Sequence, residues 1–346
     1  MKDSCRRFLL VRTDRIGDVI LSTPAITAIR NAEPDAFIAM LVAPYTHEIV
    51  LGHPHLNETI VDDQNSRNKG IPGFFNLVKK LKSYRFDVVF FLHPTARLAL
   101  AGWLARIPAR VGTRFRVYSI LFNKPVNQHR KKSSKHELDL NLELLASLGF
   151  HLDSVSFFID IPRSAEKKVE TELAKLGSQD FVVIHPGSGG SALDWPPEKF
   201  GQLGSDIQSK LKLPVIVTGS KNESEIVHKV IDASASSLCR MDGIFSLKEL
   251  AALFRKAKLV VANSTGPLHL ARAVETDIIG LYCPLAACLP QRWGPYNRPD
   301  SVIMPNVKVC NGCHSNKCGL RNCMETISVN EVFDKVKEKL SANPLR

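Results

Sequence analysis

The 346-residue sequence lacks the features that would place a chain in or across a membrane. No apolar run approaches the ~20 residues that a membrane-spanning helix needs. The run Phe8–Val11 near the start has only four residues, well below the ~7–15 of a signal-peptide core. Eight cysteines in so long a chain do not indicate the disulfide scaffold that is typical of small secreted domains. We therefore expect a soluble, cytoplasmic protein whose first strand is Phe8–Val11.

Two motifs that are common at phosphate sites are also missing. The sequence contains no G-x-x-x-x-G-K-[ST] run, which excludes a P-loop NTPase, and no Asp-x-Asp pair. The stretch Gly187–Ala192 superficially fits the dinucleotide fingerprint G-x-G-x-x-A. However, the next predicted strand ends in Thr218-Gly219, where a dehydrogenase needs an acidic residue. There is no internal repeat and no low-complexity tract.

Acidic residues are absent from residues 88–136, although the chain as a whole has 34 Asp and Glu against 46 Lys and Arg, a net charge of +12. A surplus of this kind predicts a polyanionic partner, which is nucleic acid, an anionic membrane face or a phosphorylated substrate. A basic nucleic-acid-binding protein is the alternative of another class, because Phe115, Tyr118 and Phe122 lie among these cations, but no known nucleic-acid-binding motif accompanies them. The basic residues of the segment are Arg97, Arg106, Arg110, Arg114, Arg116, Lys124, Arg130, Lys131, Lys132 and Lys135.

Short apolar runs alternate with amphipathic stretches along the whole chain, which predicts parallel sheets built from β-α-β units. The pattern restarts after a polar patch at residues 153–166, and the length suits two domains of about 150 residues each. We predict an α/β protein with domains at residues 1–160 and 161–327 and a C-terminal helix within 328–346, which would pack back on the first domain. The predicted strands are Phe8–Val11, Phe37–Val42, Asp87–Leu92, Arg110–Gly112, Phe181–His185, Pro214–Thr218, Leu259–Asn263 and Ile278–Tyr282. The predicted helices are Gly17–Asn31, Gly73–Ser83, Glu137–Leu148, Pro197–Lys210, Glu223–Ala233, Leu247–Lys256 and Val329–Leu340.

The loop Arg12–Asp18 follows the first predicted strand directly. Gly17 permits a tight turn and the close approach of a ligand. Asp18 then falls in the first turn of a helix, where a carboxylate has two uses. It can cap the helix, or it can act as a general base at the carboxyl end of the strand. The residues alone leave both interpretations open.

Two further strand-to-helix loops are suited to an anion. The glycines of Gly187–Gly190 expose backbone N–H groups ahead of a helix start, which favours a phosphate, although a glycine-rich turn without a ligand is the alternative. After Leu259–Asn263, Ser264 or Thr265 would cap a helix whose first N–H groups lie beside Gly266. His269, one turn later, could donate to a phosphate, or it could be a purely structural residue.

Taken together, these motifs resemble those of the lipopolysaccharide heptosyltransferases, glycosyltransferase family 9, over roughly residues 6 to 340. The resemblance implies the GT-B architecture, in which two Rossmann-like domains face each other across a cleft. It further implies that the first domain binds the acceptor and the second the donor, and that a heptose passes from ADP-heptose to the inner core of lipopolysaccharide with inversion. The motifs that carry it are Arg12-x-Asp14-x-x-Gly17-Asp18-x5-Pro24, His185-Pro186-Gly187-Ser188-Gly189, Trp195-Pro196 and Ser264-Thr265-Gly266-Pro267-Leu268-His269-Leu270-Ala271.

The resemblance also assigns roles to single residues. Asp18 would be the catalytic base, and Glu223, or alternatively Glu225, would bind the ribose of the donor. The acceptor would contact Arg15, Gly17 and Arg97, and no metal or other cofactor would be required. The remaining donor contacts would be Gly187, Ser188, Gly189, Gly190, Ser264, Thr265, Gly266 and His269.

Two departures from the family pattern concern the donor. Family members usually carry Lys or Arg just before Trp195-Pro196, where this chain has Leu193 and Asp194. Many also have Asp in place of Ser264. A family-9 transferase that uses a different nucleotide-sugar or acceptor is therefore the alternative within enzymes.

Partners and a second kind of site complete the expectations. The basic segment would associate peripherally with the anionic inner face of the cytoplasmic membrane, and no nucleic acid is expected. Four cysteines, Cys310, Cys313, Cys318 and Cys323, are close enough in sequence to hold a structural zinc ion. Reduced thiols or reversible disulfides are the alternatives for these four residues.

Overall fold

A computed structural model describes residues 5–130, 134–190, 192–311 and 322–342 of the chain. The chain divides into two compact units, residues 1–160 and 161–346. Each unit contains a six-stranded sheet in which all strands pair in parallel. Within the described ranges, no helix is long and apolar enough to cross a bilayer.

The first unit has the strand order β3-β2-β1-β4-β5-β6. Its strands are β1 Arg7–Val11, β2 Phe37–Val42, β3 Glu58–Val61, β4 Val88–Phe91, β5 Ala109–Thr113 and β6 Lys124–Val126. Its α-helices are α1 Ile16–Ile20, α2 Pro24–Ala32, α3 His47–Val50, α4 Gly70–Ser83, α5 Ala96–Leu104 and α6 Glu137–Ala146. A 3₁₀ helix covers Val117–Leu121.

The second unit has the strand order β12-β11-β10-β7-β8-β9. Counted from its own first strand, this is the same 3-2-1-4-5-6 order as in the first unit. Its strands are β7 Val182–His185, β8 Val215–Gly219, β9 Cys239–Asp242, β10 Leu259–Asn263, β11 Ile278–Leu281 and β12 Val302–Ile303. Its α-helices are α7 Arg163–Leu173, α8 Pro197–Asp206, α9 Ser224–Asp232, α10 Leu247–Lys256, α11 Gly266–Ala273, α12 Pro290–Trp293 and α13 Val329–Ala342.

This strand order defines one special place in each sheet. The strand order reverses between the neighbouring strands β1 and β4, because β1 to β3 are added in one direction and β4 to β6 in the other, and it reverses likewise between β7 and β10. In parallel α/β sheets, ligands bind outside the carboxyl ends of the strands at such a switch point. The loops predicted to be functional from the sequence follow β1, β7 and β10, so they lie at the two switch points.

The predicted α/β class is confirmed, and the eight predicted strands correspond to the eight inner strands. The four edge strands β3, β6, β9 and β12 escaped prediction because they are short and only partly buried. An edge strand buries less apolar surface than an inner one, so its sequence lacks a continuous apolar run.

The single helix expected over Gly17–Asn31 is wrong, because the chain forms two helices there. Pro24 has no N–H group and begins a new helix, α2. The hydroxyls of Ser22 and Thr23 donate to the carbonyl oxygens of Asp18, at 2.7 Å, and Ile20, at 2.8 Å. These side chains satisfy backbone acceptors at the break, and the short helix α1 therefore stays in place.

The C-terminal helix α13 packs within the second unit. We expected the region 328–346 to return to the first domain, but Val332, Phe333 and Val336 lie in the hydrophobic core of the second unit. The helix contacts α8, and it begins shortly after Ile327, whose carbonyl oxygen accepts the indole N–H of Trp195 at 3.1 Å. The apolar face of α13 therefore belongs to the second unit.

We expect Val336→Ala to lower the free energy of unfolding by about 2 kcal/mol, because Val336 is fully buried and the substitution leaves a cavity. Chemical denaturation monitored by circular dichroism measures the change. Glu338→Ala, one turn from the core and paired only at the surface with Lys335, is the control and should change stability by less than about 0.5 kcal/mol. Equal effects of the two substitutions would contradict this packing.

Candidate active site

A buried arginine organises the residues that follow β1. The guanidinium of Arg12 donates from Nε to Asp14 at 2.7 Å, from Nη1 to Glu137 at 2.8 Å, and from Nη2 to Asp18. Nη1 also reaches the carbonyl oxygen of Leu92, just after β4, at 3.3 Å. The Arg12 side chain is only 2% exposed. One cation therefore holds three carboxylates from three separate segments.

A second arginine, Arg130, belongs to the same group of charges. Arg130 binds Glu137 and donates to Oδ1 of Asn141 at 3.1 Å. Asn141 also donates to Oγ of Ser22 at 3.1 Å. Buried charges are tolerated only when they are paired and hydrogen bonded, and here each of them is. We name this group the Arg12 cluster; its members are Arg12, Asp14, Asp18, Arg130, Glu137 and Asn141.

The Arg12 cluster changes the acidity of Asp18. Burial raises the pKa of Asp18 to about 6, although the positive charge of Arg12 lowers it. The negative charges of Asp14 and Glu137 raise it further because they disfavour another carboxylate nearby. A carboxylate whose pKa lies near the working pH is well suited to accept a proton. The geometry therefore fits a general base better than a simple helix cap.

Two partly exposed rings border the Arg12 cluster. The hydroxyl of Tyr45 donates to the carbonyl oxygen of Asp14 at 2.7 Å, and Nδ1 of His93 lies 3.7 Å from the Asp14 carboxylate. Burial lowers the pKa of His93, which keeps the imidazole neutral at pH 7 despite the nearby carboxylates. Asp14 is thus fixed through both its backbone and its side chain.

The predicted acceptor residues lie in two places. Arg15 is exposed at the start of α1, and Gly17 is buried in the first turn of α1 beside Asp18. Arg97 lies at the start of α5, where it binds the buried carboxylate of Asp62 at 2.5 Å and the carbonyl oxygen of Asn68 at 3.2 Å. Arg15 and Gly17 therefore share α1 with Asp18, whereas Arg97 already has an internal partner.

The glycine loop after β7 requires its glycines for two different reasons. Gly189 and Gly190 adopt φ values of +58° and +74°, which favour glycine. Gly187 has an ordinary backbone, but a Cβ there would overlap the carboxylate of Glu223. Glu223 therefore packs directly against the loop that was predicted to bind the donor diphosphate.

Glu223 is bound to the loop and to the residues around it. It accepts the N–H groups of Ser220, at 2.8 Å, and Gly189, and it lies 3.8 Å from Nε2 of His185. Burial alone would raise the pKa of Glu223, but His185 and these hydrogen bonds outweigh burial and lower it. The alternative residue Glu225 is 81% exposed and pairs with Lys229 on the surface of α9. Of the two candidates, only Glu223 adjoins the glycine loop.

A buried asparagine at the end of β10 fixes the same loop. Asn263 donates from Nδ2 to the carbonyl oxygen of Pro186 at 2.6 Å, and its Oδ1 accepts the N–H of Trp195 at 3.0 Å. Asn263 is completely buried. One side chain therefore connects both ends of the segment between β7 and α8.

Asp194, which replaces the expected basic residue, lies next to this loop. Burial raises the pKa of Asp194 to about 6; a hydrogen bond with Ser188 lowers it, and the charge of Glu223 adds to the rise. Asp194 is therefore protonated more readily than an exposed aspartate, but it stays mostly ionised at pH 7. Asp194 thus contacts Ser188, a predicted donor residue.

The third loop begins a helix as expected, with one difference in its cap. Thr265 occupies the N-cap position of α11, but its side chain makes no capping hydrogen bond. Ser264 instead hydrogen bonds to Tyr282 through its side chain. Gly266 is the first residue of α11, and His269 is buried one turn later. Because β7 and β10 are paired neighbours, this helix start and the glycine loop share one edge of the sheet.

Only part of the cysteine group can be located. The backbone of Cys310 forms an isolated parallel β-bridge with Leu285, and the Cys310 thiol lies 3.8 Å from the carbonyl oxygen of Pro284. Cys323 begins a short 3₁₀ helix, whereas Cys313 and Cys318 lie outside the described residues. Within the described part of the chain, no three His, Cys, Asp or Glu side chains are placed to hold a metal ion.

Four functional-site residues were not singled out from the sequence. Arg12 belongs to a motif quoted there and Glu137 begins a predicted helix, but neither has a predicted role, and Arg130 is only one of the basic residues of the segment 88–136. Asn263 was treated as the end of a strand. The available signal is a polar residue closing an apolar strand, which applies to Arg12 after β1 and to Asn263 at the end of β10. The partner of such a residue is set by the fold.

Several known proteins have sequences similar to that of this chain. The family model described as "Glycosyltransferase family 9 (heptosyltransferase)" matches residues 74–323. The chain is 25% identical over 307 residues to a Haemophilus influenzae protein named only as a glycosyltransferase, covering 86% of this chain and 88% of that protein. It is 28% identical over 286 residues to lipopolysaccharide heptosyltransferase 3 of Escherichia coli K12, covering 77% and 79%.

Solved structures share the fold. A family 9 glycosyltransferase from Veillonella parvula superposes with a TM-score of 0.86 at 22% identity, covering 99% of both chains. The ADP-heptose lipopolysaccharide heptosyltransferase II of E. coli superposes with a TM-score of 0.77 at 18% identity, covering 98% of this chain and 99% of that one. The two Rossmann-like units thus have the GT-B fold, as predicted. On the match to the family model, this chain belongs to glycosyltransferase family 9, and it is a glycosyltransferase.

Proposed function

We propose that the protein transfers a heptose from ADP-heptose to the inner core of lipopolysaccharide, with inversion at the anomeric carbon. The observation that carries the proposal is the position of Asp18, which Arg12 holds at the switch point of the first unit and whose pKa burial raises to about 6. The family description, and the names of the relatives in E. coli, support the sugar and the acceptor.

In the proposed reaction, Asp18 removes the proton from an acceptor hydroxyl. The oxygen of that hydroxyl then attacks the anomeric carbon of the donor, and the bond between that carbon and the diphosphate oxygen breaks. ADP leaves with the bonding electron pair, while the proton stays on Asp18. Arg15 and Gly17, which share α1 with Asp18, would contact the acceptor, and Arg97 would do so if a ligand displaces its contact with Asp62.

The second unit would bind the donor. Negative charge grows on the departing diphosphate, and backbone N–H groups at a glycine loop and a helix start stabilise such charge without rearranging. We assign this role to the N–H groups of Gly187, Ser188 and Gly190 in the first loop and of Thr265 and Gly266 at the helix start, with His269 as a further donor. The N–H groups of Gly189 and Ser264 already donate to Glu223 and to the carbonyl oxygen of Leu281, so these two predicted donor residues would line the site without supplying those N–H groups. Glu223 would also bind the ribose, because a carboxylate can accept more hydrogen bonds than those from Ser220 and Gly189 that anchor the loop.

A transferase specific for another nucleotide-sugar is the second candidate, and one observation favours it. Asp194 lies beside Ser188 in place of the basic residue that the family usually carries, so the charge near the diphosphate differs from the family pattern. Turnover of a panel of nucleotide-sugars would separate the two candidates, because ADP-heptose should be preferred only under the first.

The central test measures ADP release from ADP-heptose with a lipid A–Kdo acceptor. We expect Asp18→Asn to lower kcat by at least about 100-fold, because an amide has the shape of the carboxylate but cannot accept the proton. Asp153→Asn, which changes an exposed carboxylate of the same unit, is the control. A kcat of Asp18→Asn within a few-fold of wild type would show that another group is the base.

The pH dependence of kcat/KM should follow the ionisation of Asp18. Protonation removes the base, so we expect the rate to fall as the pH drops below about 6. Glu137→Gln removes a negative charge that raises the pKa of Asp18, and the acidic limb of the profile should therefore move to lower pH. Glu143→Gln, on the same helix α6 but bound to Gln128 and Lys135, should leave the limb in place. Identical profiles for the two variants would contradict this electrostatic account.

For metals, we expect the transfer reaction to be insensitive to chelators, since no Asp-x-Asp pair is present and the proposed diphosphate contacts are backbone N–H groups.

The cysteine segment gives a separate prediction about zinc. The thiol of Cys310 is close enough to the carbonyl oxygen of Pro284 to donate a hydrogen bond to it. We therefore expect less than one zinc per purified chain by elemental analysis. A value near one would instead establish the zinc site predicted at Cys310, Cys313, Cys318 and Cys323.

The proposed acceptor is anchored in a membrane by its lipid part. We therefore also propose that the protein works at the anionic inner face of the cytoplasmic membrane, to which its basic first unit would bind peripherally.

A further inference from the structure

The first unit exposes apolar side chains in three pairs. Twelve large hydrophobic side chains are exposed among the described residues, and six of them occur on α4, α5 and the 3₁₀ helix Val117–Leu121. We name these six the apolar patch; they are Ile71, Phe75, Leu100, Trp103, Val117 and Ile120. Within each pair the residues are three or four positions apart, so both side chains leave the same face of their helix.

The three elements are neighbours. Helix α5 contacts both α4 and the 3₁₀ helix Val117–Leu121. Their opposite faces supply core residues, such as Leu77 and Leu98, to the hydrophobic core of the first unit. The three pairs therefore lie on adjoining outward faces of one layer of the fold.

The most exposed pair is mounted rigidly. Val117 and Ile120 are 99% and 88% exposed, which is unusual for side chains of this size. Between them, Tyr118 donates its hydroxyl to the carbonyl oxygen of Pro94 at 2.6 Å. Directly after the 3₁₀ helix, the ring of Phe122 is buried against Gly112, where a Cβ would overlap it. The exposure of Val117 and Ile120 is thus imposed by a well-anchored turn.

The charge around the apolar patch has one sign. Residues 64–136 contain sixteen Lys and Arg and a single acidic residue, Asp87. Asp87 accepts the backbone N–H of Arg7 at 2.7 Å. Four cations adjoining the second and third pairs are exposed, and in the described ranges none of them forms an ion pair; they are Arg106, Arg114, Arg116 and Lys124. A second copy of the chain would bring these like charges together, so the charge favours an anionic partner over self-association.

We propose that the apolar patch and these cations form a docking surface for an anionic lipid bilayer, with Val117 and Ile120 entering the acyl boundary. Apolar side chains that insert at the interface, surrounded by Arg and Lys that attract anionic headgroups, are the combination that peripheral membrane proteins use. The inference rests on the proposed function for its biological purpose, because a lipid-anchored acceptor is presented at such a surface.

The test is flotation of the full chain with vesicles of phosphatidylethanolamine and phosphatidylglycerol, compared with vesicles of phosphatidylcholine. We expect binding to the anionic vesicles only, and weaker binding as salt rises from about 0.1 to about 1 M, over which the Debye length falls from about 10 to about 3 Å. The double variant Val117→Ser/Ile120→Ser should lower the partition coefficient by about tenfold or more, because it removes the inserted apolar groups.

The matched control changes two exposed apolar residues of the second unit. Ile244→Ser/Val309→Ser should bind vesicles as the wild type does. Trp103 supplies an independent readout, since brominated acyl chains should quench its fluorescence, and Trp103→Phe should remove most of that quenching. Trp195, which is fully buried, should be unaffected.

Two results would overturn the proposal. One is vesicle binding by Val117→Ser/Ile120→Ser equal to that of the control. The other is light scattering that shows a dimer converted to a monomer by the same substitutions, which would make the apolar patch a contact between copies. Transfer to an acyl-free, water-soluble acceptor separates this test from the proposed function. Vesicle binding without any transfer would refute the function and leave the docking surface standing, whereas transfer without vesicle binding would do the reverse.

Discussion

The buried guanidinium of Arg12 is the interaction on which the first unit depends. It pairs with carboxylates from the β1–α1 loop, from α1 and from α6, which are brought together only by the complete fold. Its burial would be unfavourable without these partners, and the carboxylates would repel each other without it. Within this group Asp18 is buried, and its pKa is raised to about 6. The stability of this unit and the proton-accepting chemistry proposed for Asp18 thus depend on the same buried charges.

At the switch point of the second unit, the loops present backbone N–H groups and not a cluster of charged side chains. Its sheet has the same strand order, and its loops leave the same two strands at the switch point. Here, however, the organising side chains are Glu223 and Asn263, which hold the glycine loop from two sides. One repeated architecture therefore presents a charged cluster in one unit and a set of N–H donors in the other. Proton transfer and diphosphate stabilisation call for these different groups.

The sequence predicted the parts of the fold whose evidence is local. Inner strands such as β1 and β10 are continuous apolar runs, and glycine loops such as Gly187–Gly190 can be recognised from composition. Edge strands such as β6, which is three residues long and partly exposed, leave no such signal. The interruption of the first helix depended on how Pro24 and the neighbouring hydroxyls satisfy the backbone, which a periodicity pattern does not record.

In the candidate site, too, the residues with local sequence evidence could be predicted and those that depend on long-range contacts could not. Asp18 could be proposed from the sequence because it follows Gly17 in a loop directly after a strand, whereas Glu223 was proposed from the resemblance to the family. Their partners were not, since Glu137 is 125 positions from Arg12 and Asn263 is 68 from Trp195. Pairings at such separations are decided by the strand order of the sheet. The positive charge of residues 88–136 is visible in the sequence. The exposure of Val117 and Ile120 is not, because it depends on how the elements pack.

The span between Arg12 and Glu137 has a consequence for biosynthesis. A ribosome makes the chain from its N-terminus, and long-range contacts form only after the intervening segment has closed into a loop. While Glu137 and Asn141 are still unmade, Arg12 lacks two of its partners, and Asp18 has neither its final burial nor its final charge environment. The nascent first unit can therefore build its inner strands early, but its proposed base, Asp18, reaches its final environment only when α6 docks.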